Sequence, residues 1–88
     1  MTMKDLQFRA KKMPATIQVG KRGITDTLVT EIAKQLKQKK LVKIKLLRSF
    51  HETIDKDEVA RLIADKTDSI LVSRRGFIIV LYKGILSE

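Results

Sequence analysis

In the run QVGKRGITDTLVTEI, Gly20 and Gly23 enclose a Lys21-Arg22 pair immediately before a stretch with helical periodicity. Glycine lets a chain turn sharply and brings main-chain N–H groups close to a ligand with no side chain in the way. The start of the following helix adds N–H groups without intrahelical partners and a partial positive charge, and the two cations complete a cradle suited to phosphate. The competing reading is that both glycines only supply positive φ angles in a tight strand-to-helix connection while the cations are solvated, since a bare G-x-x-G has weak specificity.

No other cluster offers comparable chemistry. His51 is the single histidine and cysteine is absent, so no His/Cys metal set can be assembled and His51 reads as an incidental loop residue. No metal or cofactor is expected. Glu52, Asp55, Asp57 and Glu58 lie close in sequence but lead into a helix start, where the dipole stabilises acids, so they do not read as a catalytic carboxylate pair. Arg74 and Arg75 fall at an expected hairpin turn, either reaching phosphate or simply solvated. Phe8 falls on the basic side of the first helix; it is expected to pack against a neighbouring element, with a stacking platform as the alternative.

Residues 1–48 carry 13 Lys or Arg against 3 Asp or Glu, while residues 49–88 carry 6 against 7, so the entire excess of the +9 net charge lies in the first half. Such segregation implies a polyanionic partner, nucleic acid or an anionic membrane. No apolar run approaches the roughly 20 residues needed to span a bilayer, and the charged start MTMKDLQFRAKKM lacks the apolar centre of a signal peptide. A soluble, unprocessed cytoplasmic protein without disulfides is expected, with one domain over residues 1–88 and a single core of aliphatic residues.

The elements that position these residues follow from periodicity. Thr2 caps a first helix with Met3, Leu6, Ala10 and Met13 on its apolar side and Lys4, Lys11 and Lys12 opposite, ended by Pro14. Residues 15–19 alternate as a short strand. Thr25 caps a second helix with Leu28, Val29, Ile32, Ala33 and Leu36 on one face. Residues 41–47 form a strand with Val42, Ile44 and Leu46 on one face and Lys43 and Lys45 on the other. Asp55 and Glu58 cap a third helix that turns Val59, Leu62 and Ile63 inward. Ile70–Ser73 and Phe77–Tyr82 make a hairpin around Arg74-Arg75-Gly76. The order αβαβαββ, with right-handed crossovers, places the second and third helices on one face of the sheet. The other face is expected to stay largely open, carrying Thr16, Gln18, Lys43 and Lys45.

The run VGKRGITDTLVTEIAKQLKQKKLVKIKL, with the later ILVSRRGFIIVLY, resembles a CRM domain of the stand-alone bacterial type called YhbY, from about residue 5 to residue 84. The resemblance implies a two-layer α/β fold similar to the C-terminal domain of bacterial initiation factor three. Its four-stranded mixed sheet would have order 1-2-4-3, the last strand antiparallel to the rest. It also implies RNA binding, with precursors of the large ribosomal subunit as the particle and ribosomal RNA as the ligand. The family loop maps onto Gly20, Lys21, Arg22, Gly23 and Thr25; residues 48–57 fit the family pattern poorly and receive no role.

The expected function is a non-catalytic, monomeric RNA-binding protein that does not engage membranes. Lys4, Lys11, Lys12, Lys43 and Lys45 would capture RNA, Gly20–Gly23 would dock it, and Arg74 and Arg75 are secondary candidates. The rivals are a scaffold contacting acidic proteins of a ribonucleoprotein and an enzyme acting on RNA; against the latter stands the lack of a nucleophile and base near the loop.

Overall fold

The computed structural model describes residues 1–51 and 55–86. In chain order it contains α1 (Met3–Lys11), β1 (Ile17–Val19), α2 (Asp26–Lys39), β2 (Leu41–Leu46), α3 (Arg48–His51), α4 (Lys56–Lys66), β3 (Ile70–Arg75) and β4 (Ile78–Tyr82). The strands form one mixed sheet in the order β1-β2-β4-β3, with β1 parallel to β2 and β4 antiparallel to both neighbours. This is the expected sheet. The single turn α3 was not foreseen.

The larger core lies between the sheet and helices α2 and α4. Val42, Ile44 and Leu46 of β2 point into it, as their alternation dictates, and meet Ile32 and Leu36 of α2 and Ile63 of α4. Helix α4 buries Val59, Ala60, Ile63 and Ala64, whereas Leu62, expected inward, is 44% exposed. At about 100° per residue Leu62 lies roughly 130° from the centre of that buried stripe.

A second cluster occupies the opposite face. Leu6 and Ala10 of α1 pack on Leu41, Val72 and Val80, with Met3 and Met13 at the rim. The face expected to stay open is therefore roofed by α1 over β3, β4 and the start of β2. Leu71 packs against the larger core and Val72, by alternation, against α1; a register shift leaves Val72 without a strand partner, so that Ser73, paired with Val80, faces the α1 side as well. The Gln7 side-chain amide donates to the Val72 carbonyl at 3.3 Å and ties α1 to this irregularity.

Two residues assigned to the open face are committed elsewhere. The Lys43 ammonium donates to the carbonyls of Ala10 and Met13, at 3.1 and 3.0 Å. It thus closes the C-terminal end of α1, where unpaired carbonyls and the negative end of the dipole favour a cation. The Thr16 hydroxyl reaches Gln35 Oε1 of α2 at 2.6 Å. Gln18 and Lys45 remain exposed. At the other end of α1, Thr2 and Asp5 form a reciprocal capping box, the Thr2 N–H donating to the carboxylate at 3.1 Å and the Asp5 N–H to the hydroxyl at 3.2 Å.

Replacing Lys43 by Met keeps the apolar stem and removes both charge-assisted bonds. We expect a loss of about 2 kcal/mol, a fall in Tm on the order of 10 °C, read by thermal denaturation. The Asp5 carboxyl is held below its ordinary value, chiefly by the Thr2 N–H and then by the Thr2 hydroxyl. A folded value below the unfolded one means that the contribution of the box is complete above the unfolded value and disappears as pH falls through the folded one. Amide exchange in the first turn of α1 should accelerate over that acidic window in the wild type, and the Asp5→Asn variant should lack this dependence.

Candidate nucleic-acid interface

Strand β1 ends at Val19, whose carbonyl accepts from the Leu47 N–H at 2.8 Å, and the chain then reverses through Gly20–Gly23. The Gly23 N–H donates to the Gly20 carbonyl at 2.9 Å, and neither Lys21 nor Arg22 has positive φ, as in a turn whose fourth position favours glycine. The two glycines differ in need. Gly23 has φ of 73°, and a Cβ there would come within 3.3 Å of Phe50 Cε1. Gly20 is outside the left-handed region, and a Cβ there would meet only Leu47 Cδ1 at 3.5 Å and Ser49 Oγ at 3.9 Å, ordinary contacts. Of these two, the fold requires glycine only at 23.

The turn feeds α2. The Thr25 hydroxyl accepts from the Leu28 N–H at 3.1 Å, so Thr25 serves as the expected N-cap. With the Val29 N–H bonded to the Thr25 carbonyl, the N–H groups of Asp26 and Thr27 are left without an acceptor among the described residues. Thr27 lines a depression of about 590 Å³ together with Gln18, Lys21, Arg22 and Glu31. Lys21 and Arg22 are exposed and form no ion pair among the described residues.

Behind the loop stands the segment to which the sequence assigned no role. Leu47 and Ser49 flank Gly20, and Phe50 of α3 packs on the larger core beside Gly23. Arg48, the first residue of α3, is exposed next to these supports and is a further cation that sequence reasoning missed. The available signal was the Leu47–Phe50 spacing, one turn of apolar periodicity. Glu52 and the His51 side chain lie outside the described residues. Asp55 caps α4 by accepting from the Asp57 and Glu58 N–H groups, at 2.9 and 3.3 Å.

The arginines expected at the hairpin turn instead close β3, and Gly76, with φ of 56°, and Phe77 make the connection. Alternation sends the two arginines to opposite faces. Arg74 pairs with Asp57 of α4 at 2.7 Å and donates to the Gly76 carbonyl at 3.2 Å, so it braces the hairpin. Arg75 lies on the α1 side, where it lines a groove of about 440 Å³ with Lys4, Gln7, Phe8 and Lys11. Phe8, expected to pack on a neighbouring element, is 60% exposed. It lies roughly 200° around α1 from Leu6, off the apolar side of the helix, and so lines the groove without entering either apolar cluster. The Lys12 ammonium sits 4.5 Å from its ring centroid.

Strand register connects the two regions. Gln18 of the loop depression pairs with Lys45, Lys45 with Ile78, and Ile78 with Arg75. These positions form one row across the sheet, about 14 Å from end to end at the usual strand spacing. Lys45, in the middle, is exposed and has no ion-pair partner among the described residues.

Known proteins resemble the chain over nearly its whole length. Over 78 residues the chain is 36% identical to YqeI of Bacillus subtilis, named a probable RNA-binding protein, covering 89% of this chain and 79% of that one. It is 31% identical to the probable RNA-binding protein MJ0652 of Methanocaldococcus jannaschii over 89% of this chain and 58% of that one. The solution structure of the hypothetical protein SAV1595 from Staphylococcus aureus superposes with a TM-score of 0.78 at 28% identity, covering 98% of this chain and 88% of that one. The family model for the CRS1/YhbY (CRM) domain matches residues 1–83, and the chain belongs to that family.

Proposed function

We propose that residues 1–88 act as a single non-catalytic RNA-binding module that grips ribosomal RNA by its phosphates in precursors of the large ribosomal subunit. The observation that carries the reading is the Gly20–Gly23 loop. Two cations without an acidic partner among the described residues stand beside a glycine whose conformation any residue could adopt. A bare backbone at Gly20 is explained by a ligand that lies against it. The free N–H at the start of α2 that lies on the same side, that of Thr27, then adds a donor.

Capture is electrostatic. Lys4, Lys11, Lys12, Lys45 and Arg75 draw in the polyanion, and the loop docks it. Lys43 and Arg74 drop out of the contact set because the first closes α1 and the second braces α4. Thr25 contributes by fixing the helix start. The names of the bacterial and archaeal relatives support RNA as the partner, and the cytoplasm is where such particles form in a bacterium. Among the described residues no helix is long and apolar enough to cross a membrane.

Two measurements test the reading. The Gly20→Ala variant should melt like the wild type yet bind RNA more weakly, whereas Gly23→Ala should lose about 1–2 kcal/mol of stability through its left-handed φ. Joint replacement of Lys21 and Arg22 by Ala should flatten the log–log salt dependence of binding by about 0.7 to 0.9 per lost contact with little change in Tm. Unchanged RNA affinity in both the Gly20 and the double variant would reduce the loop to a plain connection.

In cells, crosslinking and sequencing should recover large-subunit ribosomal RNA, and RNase should release the protein from its complex. Retention after RNase would favour a protein scaffold. Labelled RNA should be returned intact after incubation; turnover would count for an enzyme.

A further inference from the structure

We propose that the groove between α1 and the end of β3 is a base-binding subsite. One unstacked nucleobase of a single-stranded RNA segment lies on the Phe8 ring, with adjoining phosphates against Lys4, Lys11 and Arg75. The inference rests on the RNA-binding reading and adds a site that takes a base where the loop takes phosphate.

Phe8 belongs to neither apolar cluster and is 60% exposed. A lone exposed aromatic is ordinary on a protein surface; its surroundings make this one informative. It lines a concavity of about 440 Å³, a volume in the range of sites for small planar ligands. The groove has an apolar floor of Ile78 and Val80, polar groups on Gln7 and Ser73, and cations on both sides, with no acidic residue in its lining. An acidic peptide would use the cations and leave the ring and the floor idle. A nucleotide uses all of them: base on ring and floor, base edge on the polar groups, phosphate on the cations. The Lys12 ammonium over the ring leaves one ring face for a base and adds charge for its phosphate.

The row Gln18–Lys45–Ile78–Arg75 spans the sheet surface between the loop depression, which Gln18 lines, and the groove, which Ile78 and Arg75 line. A single strand held at Lys21 and Arg22 therefore crosses Lys45 and reaches Phe8. A duplex keeps its bases stacked and has none to offer the ring, so the subsite favours unpaired RNA.

The test compares a short oligouridine, whose bases are poorly stacked, with an RNA duplex of equal length. Phe8→Leu should weaken oligouridine binding on the order of 10- to 100-fold, the loss of about one stacked base, while duplex affinity, salt slope and Tm stay unchanged. Lys45→Ala should lower the salt slope for oligouridine by about 0.7. The chain has no tryptophan, so Phe8→Trp introduces a single indole that oligouridine should quench while the affinity is retained. Wild-type binding to oligouridine with an unchanged affinity in Phe8→Leu would overturn this proposal and leave the loop reading intact. Absence of any RNA binding by the wild type would remove both. Quenching of the Phe8→Trp protein by polyglutamate and not by oligouridine would assign the groove to an acidic protein and overturn the base subsite.

Discussion

Strand β2 is paired on both sides, by β1 and by β4, so each of its faces has to be either covered or solvated. One face, Val42, Ile44 and Leu46, is uniformly apolar and demands the α2–α4 layer. The other face changes character along its length. Leu41 is buried in the α1 cluster, Lys43 stands at the boundary with its ammonium on the Ala10 and Met13 carbonyls where the chain leaves α1, and Lys45 is exposed. A helix can roof the apolar end, can be closed by a cation at the boundary, and cannot continue over a second lysine without burying an unpaired charge. The gradient Leu41, Lys43, Lys45 thus fixes how far α1 extends over the sheet. The uncovered remainder, between the loop and the groove, is where Lys45 lies exposed in the row from Gln18 to Arg75.

Periodicity made most of the fold legible. The two-residue alternation of β2, the caps Thr2, Thr25 and Asp55, and the apolar side of α1 all follow from local rules that tertiary structure did not override. The side of the sheet taken by α1 did not, because an amphipathic helix states that it must be buried and not where. The irregularity at Val72 interrupts the period of two in β3, and the two-residue connection Gly76-Phe77 leaves Arg74 and Arg75 inside the strand rather than in the turn. Helix α3 is a single turn, too short for a periodic signal, so the support that Phe50 gives to Gly23 was hidden.

The site was legible as chemistry and less so as geometry. The sequence singled out Gly20–Gly23 but treated both glycines alike; only the backbone separates the strained Gly23 from the unstrained Gly20. It counted Lys43 and Lys45 as equals because alternation assigns both to one face, whereas the end of α1 captures one and misses the other. For Phe8, the general rule that aromatics bury gave the wrong expectation, and its helical angle, on the basic side, accords with its exposure.

Charge placement joins the two levels. The described acids are largely employed by the fold: Asp5 in the capping box of α1, Asp26 in the first turn of α2, Asp55 as the cap of α4, and Asp57 on Arg74. Each sits where a helix dipole or a brace requires a negative group, so few are left to neutralise cations elsewhere. The bases divide accordingly. Lys43 and Arg74 are bound into the scaffold, while Lys4, Lys11, Lys21, Arg22, Lys45 and Arg75 have no ion-pair partner among the described residues. Cations left within a Debye length of one another repel and gain nothing for the folded chain. A polyanion that bridges them removes that repulsion and releases its own counterions, so the surface least useful to the fold alone is the one best suited to RNA.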